Sequence, residues 1–247
     1  MPSLDHQTWL RCAVPHPAPR QRLICFPHVG GSAAFFRGWG SHLTHAEVFG
    51  VCYPGRAERI GEPPPTDLRQ LAQEIAAAVE PLSERPLVLF GHSMGSVVAF
   101  ETARVLEARG ISPAHLIVSG SRDMSGRDAS RLEQGVDLSE LDAETAIRQL
   151  VALGGTDPEI AADPLFAELV LPYVLSDFRM LKAYQLAPEP VVHCPVTAVV
   201  GDRDPEPELR PWSRLTAAGF RQEVVPGDHF YLAANPPYAL LRDITWR

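Results

Sequence analysis

A serine stands between two glycines in the pentapeptide GHSMG at positions 91–95, directly after an apolar run that begins at Leu87. A G-x-S-x-G sequence between a strand and a helix forms a strained turn that exposes the serine hydroxyl, and its glycines leave the room that this turn requires. The helix that follows offers free N–H groups and the positive end of its dipole to a developing negative charge. The spacing therefore favours Ser93 as a nucleophile over a purely structural turn.

A serine hydroxyl becomes nucleophilic when a base takes its proton, so a histidine must come from elsewhere in the chain. Among the nine histidines, His229 follows the last predicted strand on a glycine-containing loop. From such a loop a base can reach the carboxyl edge of a parallel sheet. His92 lies within the turn itself, and we interpret it as packing beneath the turn. We expect His229 to be the base.

An orienting carboxylate is expected on the loop GDRDP, which follows the predicted strand PVTAVV. Two residues compete for this role. Asp204 lies three residues past the turn glycine and is held by the following proline, whereas Asp202 is better placed to close the turn. We favour Asp204 and leave Asp202 as the alternative.

The stretch CFPHVGGSAAFF at positions 25–36 supplies a second candidate element, a loop after an early strand. Gly30 and Gly31 allow backbone N–H groups to turn towards the site. We expect the N–H groups of Val29 and Met94 to flank the oxyanion of a tetrahedral intermediate. No set of residues resembles a metal site, and no cofactor is expected.

The elements that must position these residues follow from short apolar runs, each closed by glycine or proline. Such runs are typical of strands buried on both faces, and they are RLICFP, VFGVCYP, PLVLFG, HLIVSG, PVTAVVG and RQEVVPG. Helical spacing lies between them, for example after Asp67, which is placed to cap a helix. This alternation predicts an α/β protein with a mostly parallel sheet and helices on both faces. The chain order serine, aspartate, histidine is that of the α/β-hydrolase fold.

The alternation stops between positions 123 and 185, where leucine-rich helical patterns replace the strands. We expect residues 1–247 to form a single domain that carries residues 123–185 as a helical lid, with a rigid structural appendage as the alternative. Leu169, Val174, Leu175 and Phe178 have no strand-based core to join in this interpretation. They are therefore predicted to line an acyl channel.

Composition narrows the class of protein further. The net charge is -8 and the pI is near 5.6, which argues against nucleic acid as a partner. The first residues lack the apolar core of a signal peptide, and no apolar run is long enough for a membrane span. The four cysteines are widely separated, which indicates free thiols. We expect a cytoplasmic protein that does not bind membranes and is a monomer.

Taken together, the ordered motifs resemble the type II thioesterases, the editing hydrolases that accompany polyketide synthases and nonribosomal peptide synthetases. The resemblance runs from about Arg22 to Tyr231 and depends on CFPHVGGSAAFFRGW, YPGRAERIGEPP, FGHSMGSVVAFETA, LVALGGTDPEI with LPYVLSDFRMLKAY, GDRDPEP and PGDHFYL. It implies a triad of Ser93, Asp204 and His229, an oxyanion hole at Val29 and Met94, and a flexible lid. It also implies that the substrate is an acyl group on the phosphopantetheine arm of an acyl or peptidyl carrier protein.

Other functions of the same fold remain as alternatives, because fold alone does not settle function. They are a small-molecule carboxylesterase, an acyltransferase and a receptor without turnover. Recognition of a carrier protein requires contacts away from the reacting thioester. We expect local cations to supply these contacts, and the candidates are Arg56, Arg59, Arg179 and Lys182.

Overall fold

The centre of the molecule is a seven-stranded sheet with strand order β1-β3-β2-β4-β5-β6-β7. The computed structural model describes residues 6–121, 142–187, 191–204 and 210–246. The strands are β1 Leu10–Arg11, β2 Gln21–Phe26, β3 Ala46–Val51, β4 Leu87–His92, β5 His115–Ser119, β6 Val196–Gly201 and β7 Phe220–Val225. All neighbouring strands are parallel except β1, which pairs antiparallel with β3. Each of the six predicted runs is a strand, and the two-residue β1 was not predicted.

Helices connect the strands. They are α1 His6–Trp9, α2 Leu68–Val79, α3 Met94–Ala108, α4 Ala143–Ala152, α5 Pro158–Ala161, α6 Pro164–Leu169, α7 Leu171–Ala183, α8 Tyr231–Ala234 and α9 Tyr238–Trp246. Asp67 caps α2 as predicted, since its carboxylate accepts the N–H of Gln70 at 2.9 Å. Within the described residues, no helix combines the length and the apolar composition needed to cross a membrane.

Two hydrophobic clusters cover the two faces of the sheet. On β2, Ile24 and Phe26 face one cluster while Leu23 and Cys25 face the other, because side chains alternate along a strand. The first cluster includes buried residues of α2, α3 and α7, and the second includes residues of α8 and α9. Helices therefore lie on both faces, as the sequence predicts.

The parallel arrangement brings the functional loops to one edge. β2, β4 and β5 run side by side in parallel, and β6 and β7 continue the sheet in the same direction. Loops at the carboxyl ends of parallel strands meet along one edge, which is where ligands bind in open α/β sheets. The loops after β2, β4, β6 and β7 carry the residues that the sequence singled out.

The predicted helical insertion corresponds to α4, α5, α6 and α7, which lie in the chain between β5 and β6. Positions 123–141 of the predicted lid fall outside the described residues. The prediction that the apolar residues of this insertion have no sheet-based hydrophobic core to join is wrong for α7. Val174 is fully buried in the first cluster and Leu175 and Phe178 pack against it, whereas Leu169 is 50% exposed. The helix α7 is thus part of the hydrophobic core, and a lid motion of the segment stays a prediction.

Candidate active site

Ser93 lies in the turn between β4 and α3 in a backbone conformation that is rare for a residue with a side chain. Its φ is 53° and its ψ is -120°. Two backbone hydrogen bonds hold it there, because its N–H donates to the Ser119 carbonyl at 2.8 Å and its carbonyl accepts the Ser96 N–H at 2.9 Å. Such backbone strain costs on the order of 1–3 kcal/mol and persists only where the surrounding structure imposes it. The Ser93 side chain remains partly exposed.

The glycines that flank this turn are required by close backbone packing. A Cβ atom on Gly91 would collide with the backbone of Gly95, and one on Gly95 would collide with the carbonyl of Phe26 at the end of β2. The first turn of α3 therefore lies directly against the loop that follows β2. The first N–H groups of a helix have no partner within the helix. The Met94 N–H, the first in α3, is thus presented where this loop begins.

His229 lies in the loop between β7 and α8, and Asp204 lies in the loop after β6. The His229 Nδ1 atom is 2.9 Å from Asp204 Oδ2, and both side chains are almost completely buried. The carboxylate accepts a hydrogen bond from Nδ1–H, which leaves Nε2 as the basic nitrogen of the neutral ring. Among the described residues, no hydrogen-bond partner contacts Nε2. The ring centroid lies 5.1 Å from that of His92, the residue before Ser93.

Asp202 makes a different contact. Its Oδ1 accepts the N–H of Gly227 at 2.8 Å, and its own N–H donates to the carbonyl of Val225 at 2.8 Å. Its side chain is 49% exposed. Asp202 therefore joins the loops after β6 and β7 without touching the histidine. This geometry favours Asp204 as the orienting carboxylate, in line with the preference drawn from the sequence.

The loop after β2 offers few free N–H groups. Gly30 donates its N–H to Asp177 Oδ2 at 3.0 Å, and Gly31 donates its N–H to the carbonyl of His28 at 2.9 Å. Pro27 has no N–H. No hydrogen bond to the Val29 N–H is found within the part of the chain that the structure describes. Val29 therefore stays the predicted donor of this loop, although the N–H groups of His28 and Ser32 also have no partner among the described residues.

His28 and His92 pack beside His229. His92 is fully buried, its Nδ1 lies 2.9 Å from Ser119 Oγ, and this hydroxyl lies 2.8 Å from the Tyr231 hydroxyl. Burial, and next the proximity of His229, lowers the pKa of His92 well below its usual value and that of His28 to about 3. Both rings are therefore neutral near pH 7, so neither places a positive charge beside His229. Despite this clustering, the described residues contain no group of His, Cys, Asp or Glu suited to a metal ion.

The expectation that Arg56 and Arg59 form an exposed docking face is wrong. Arg56 is 2% exposed and Arg59 is 7% exposed. The two terminal nitrogens of Arg56 lie 2.6 Å from the two carboxylate oxygens of Asp177 on α7. Arg59 donates to the carbonyl of Cys52 at 2.9 Å and pairs with Glu62. Both arginines are thus structural partners of nearby groups.

Sequence reasoning did not single out Asp177, although one signal was present. Asp177 occupies the same helical stripe as the buried residues Val174 and Met180. A carboxylate at a position that helical periodicity assigns to the core requires a buried cationic partner. The two other cations predicted for docking, Arg179 and Lys182, are exposed on α7.

Comparison with known proteins agrees with this geometry. Residues 21–246 match the family model described as a thioesterase domain. The chain is 39% identical over 236 residues to thioesterase PikA5 of Streptomyces venezuelae. This alignment covers 93% of this chain and 82% of that protein. Among solved structures, the type II thioesterase BorB from the borrelidin biosynthetic cluster is 34% identical, with a TM-score of 0.83 and coverage of 96% of this chain and 98% of that one. YbtT, a type II thioesterase from the yersiniabactin NRPS/PKS biosynthetic pathway, is 29% identical, with a TM-score of 0.82 and coverage of 96% of both chains. The likeness confirms the predicted fold class and spans nearly the whole chain.

Proposed function

The chain belongs to the thioesterase family, and we propose that it cleaves acyl thioesters with Ser93 as nucleophile, His229 as general base and Asp204 as the carboxylate that orients His229. One observation carries this assignment. His229 is held through Nδ1 by Asp204 at 2.9 Å, while its Nε2 has no partner among the described residues and its ring lies beside the turn that carries Ser93. This is the arrangement that makes a serine hydroxyl reactive.

The first half of the reaction forms an acyl-enzyme. Ser93 Oγ attacks the thioester carbonyl carbon while His229 Nε2 takes the hydroxyl proton, and Asp204 stabilises the imidazolium that results. The carbonyl oxygen becomes an oxyanion, to which the N–H groups of Val29 and Met94 donate. The C–S bond then breaks, and the departing sulfur takes the proton from His229.

The second half releases the acid. A water molecule gives a proton to His229 Nε2 and attacks the carbonyl carbon of the acyl-serine, which forms a second oxyanion in the same place. The C–O bond to Ser93 then breaks, and His229 returns the proton to Ser93 Oγ. The neutral state of His28 and His92 favours both halves, because a second positive charge beside the His229 imidazolium would oppose its formation.

We assign the substrate to acyl groups on the phosphopantetheine arm of a carrier protein. The names of YbtT and BorB support this assignment, since they describe type II thioesterases of an NRPS/PKS pathway and of a biosynthetic cluster. The function is then the removal of aberrant or stalled acyl units. Discrimination for the carrier must come from binding energy remote from the carbonyl, because the catalytic groups contact only the thioester.

Labelling with a fluorophosphonate tests the nucleophile. The reagent is expected to modify the native protein at one serine, which peptide mapping by mass spectrometry should locate at Ser93. Ser93→Ala should abolish both labelling and thioester hydrolysis. The matched control is Ser176→Ala, because Ser176 is partly buried on α7 and its hydroxyl donates to the Pro65 carbonyl. Labelling at another residue, or turnover by Ser93→Ala, would reject the assignment.

A second experiment tests the substrate. The same acyl group is presented on a carrier protein, on coenzyme A and on N-acetylcysteamine at one ionic strength. The expected result is a higher kcat/KM for the carrier-bound thioester, caused by remote binding energy. Equal kcat/KM for the three would instead indicate a general thioesterase or esterase.

A further inference from the structure

The loop that carries Val29 is held by side chains from two other parts of the chain. The Tyr53 hydroxyl donates to the Pro27 carbonyl at 3.2 Å, and Arg56 Nη1 contacts the Gly31 carbonyl at 3.4 Å. Between these points, Gly30 donates its N–H to Asp177 Oδ2 at 3.0 Å. The loop is thus contacted by side chains at its start, its middle and its end, and the middle contact comes from Asp177 on α7.

Asp177 is the residue at which these contacts meet. Its side chain is fully buried, and it accepts hydrogen bonds from both terminal nitrogens of Arg56 and from the Gly30 N–H. The Arg56 guanidinium also lies over the Tyr53 ring at 5.2 Å and the Tyr173 ring at 4.7 Å. A buried carboxylate needs several donors to offset its lost hydration. Asp177 therefore fixes the distance between α7 and the loop within narrow limits.

The backbone of Gly30 is shaped to fit α7. Its φ is +73°, a left-handed conformation that glycine adopts readily. A Cβ atom at this position would lie 3.0 Å from Val174 Cγ2. Val174 and Asp177 lie one helical turn apart on α7, so one face of the helix both limits the space for a side chain at Gly30 and accepts its N–H.

We infer that Asp177 is a positioning residue for the oxyanion hole. By holding the Gly30 N–H it fixes the adjoining peptide units, so that the Val29 N–H is kept opposite the first N–H of α3. Because Asp177 belongs to α7, docking of this helix and assembly of the oxyanion hole are one event. The inference rests on the proposed function, in which Val29 stabilises the oxyanion.

The test separates the hydrogen bond to Gly30 from the buried charge pair. Arg56→Met combined with Asp177→Asn removes both charges and keeps an oxygen that can accept the Gly30 N–H. Arg56→Met combined with Asp177→Leu removes the charges and that acceptor, with a side chain of similar shape. Neither pair leaves an unpaired charge in the core, so the two proteins differ mainly in one acceptor.

Four quantities are measured on each protein: kcat and KM with an acyl-N-acetylcysteamine thioester, affinity for a trifluoromethyl ketone that forms a hemiketal with Ser93, and the thermal midpoint. Relative to the Asn variant, the Leu variant should lose kcat and hemiketal affinity in parallel, by about 10²-fold if the loop donor is lost completely. KM should change little, because the ground-state thioester does not depend on an assembled oxyanion hole. A purely structural role would lower the thermal midpoint and leave kcat and inhibitor affinity alike in the two variants, which would overturn the inference.

Hydrogen exchange on the unaltered protein provides an independent measurement should either variant fail to fold. The Gly30 amide should exchange slowly and with the same opening free energy as the amides of α7 near Asp177. Exchange at the rate of an unprotected amide would contradict the inference. Failure of the proposed function is recognised separately, since the unaltered protein would then show no fluorophosphonate adduct at Ser93.

Discussion

Replacement of Asp204 by asparagine should reduce turnover far more than the same change at Asp202. The His229 Nδ1 atom faces Asp204 Oδ2 at 2.9 Å, in a place where the carboxylate is 0% exposed. An asparagine there can turn its NH₂ group towards Nδ1, which makes Nδ1 the acceptor and moves the ring proton to Nε2. In that tautomer His229 cannot accept the proton of Ser93. The substitution also removes the negative charge of Asp204, which stabilises the His229 imidazolium.

The expected size of the effect follows from these two losses. A triad of this type loses about 10⁴ in kcat when its aspartate becomes asparagine, equivalent to about 5.5 kcal/mol of transition-state stabilisation. At Asp202, by contrast, an asparagine keeps an oxygen for the Gly227 N–H that Oδ1 now accepts at 2.8 Å. Asp202→Asn should therefore cost at most about 1 kcal/mol of folding stability and leave kcat nearly unchanged.

The assay is steady-state hydrolysis of an acyl-N-acetylcysteamine thioester, with the thermal midpoint of each variant as a check on folding. Both proteins carry the same chemical change at positions two residues apart, so each serves as the control for the other. Similar losses of kcat in the two variants, or a larger loss for Asp202→Asn, would show that the acid has been assigned to the wrong residue.

Three further predictions follow from burial and charge. First, the unfolded chain binds protons at His28 and His92 below about pH 6.5 while the native chain does not, because burial lowers both pKa values. Above this pH the two neutral histidines do not reduce stability. Below it, the free energy of unfolding falls by up to about 1.4 kcal/mol per pH unit for each histidine. Urea titrations at several pH values should show a smaller slope for His92→Asn and an unchanged one for the exposed control His42→Asn; equal slopes would reject this reasoning. Second, Arg179→Glu on α7 should raise KM for an acyl-carrier protein but not for the free thioester, whereas Arg85→Glu, at the opposite end of β4, should change neither. An unchanged KM for the carrier would remove Arg179 from the docking face. Third, amide exchange should be faster in residues 158–169 than in α7, because Ile160, Leu165 and Leu169 are 58%, 60% and 50% exposed while Val174 is 0% exposed; uniform protection would mean that the whole helical segment is rigid.

The strands and the proximity of His229 to Asp204 could be predicted because their signals are local. Each strand appears in the sequence as an apolar run closed by glycine or proline. The two glycines of GHSMG indicate the close backbone packing at this turn. His229 and Asp204 could be placed because both follow parallel strands, whose carboxyl ends share an edge. The short strand β1 has no such signal, since two residues give no periodicity.

The contacts of Arg56 could not be predicted in the same way. Its partner Asp177 lies 121 residues away in the sequence, and an arginine after a strand has the same local signal whether it faces water or a buried carboxylate. Burial also depends on Tyr53 and Tyr173, which enclose the guanidinium from two different elements. The docking prediction for this residue failed for that reason.

The position of Asp177 also limits how the helical segment can move. If α7 left the body of the protein, Asp177 would lose Arg56 and the Gly30 N–H together, which would leave two charges of opposite sign without partners. Separating the pair would give up the two Arg56–Asp177 contacts at 2.6 Å, and it would also release the loop of Val29. Motion that admits a substrate on every turnover is therefore expected in α5 and α6, where large apolar side chains are exposed. We therefore expect the segment predicted as one lid to divide into an anchored helix, α7, and a more exposed part that controls access to the site.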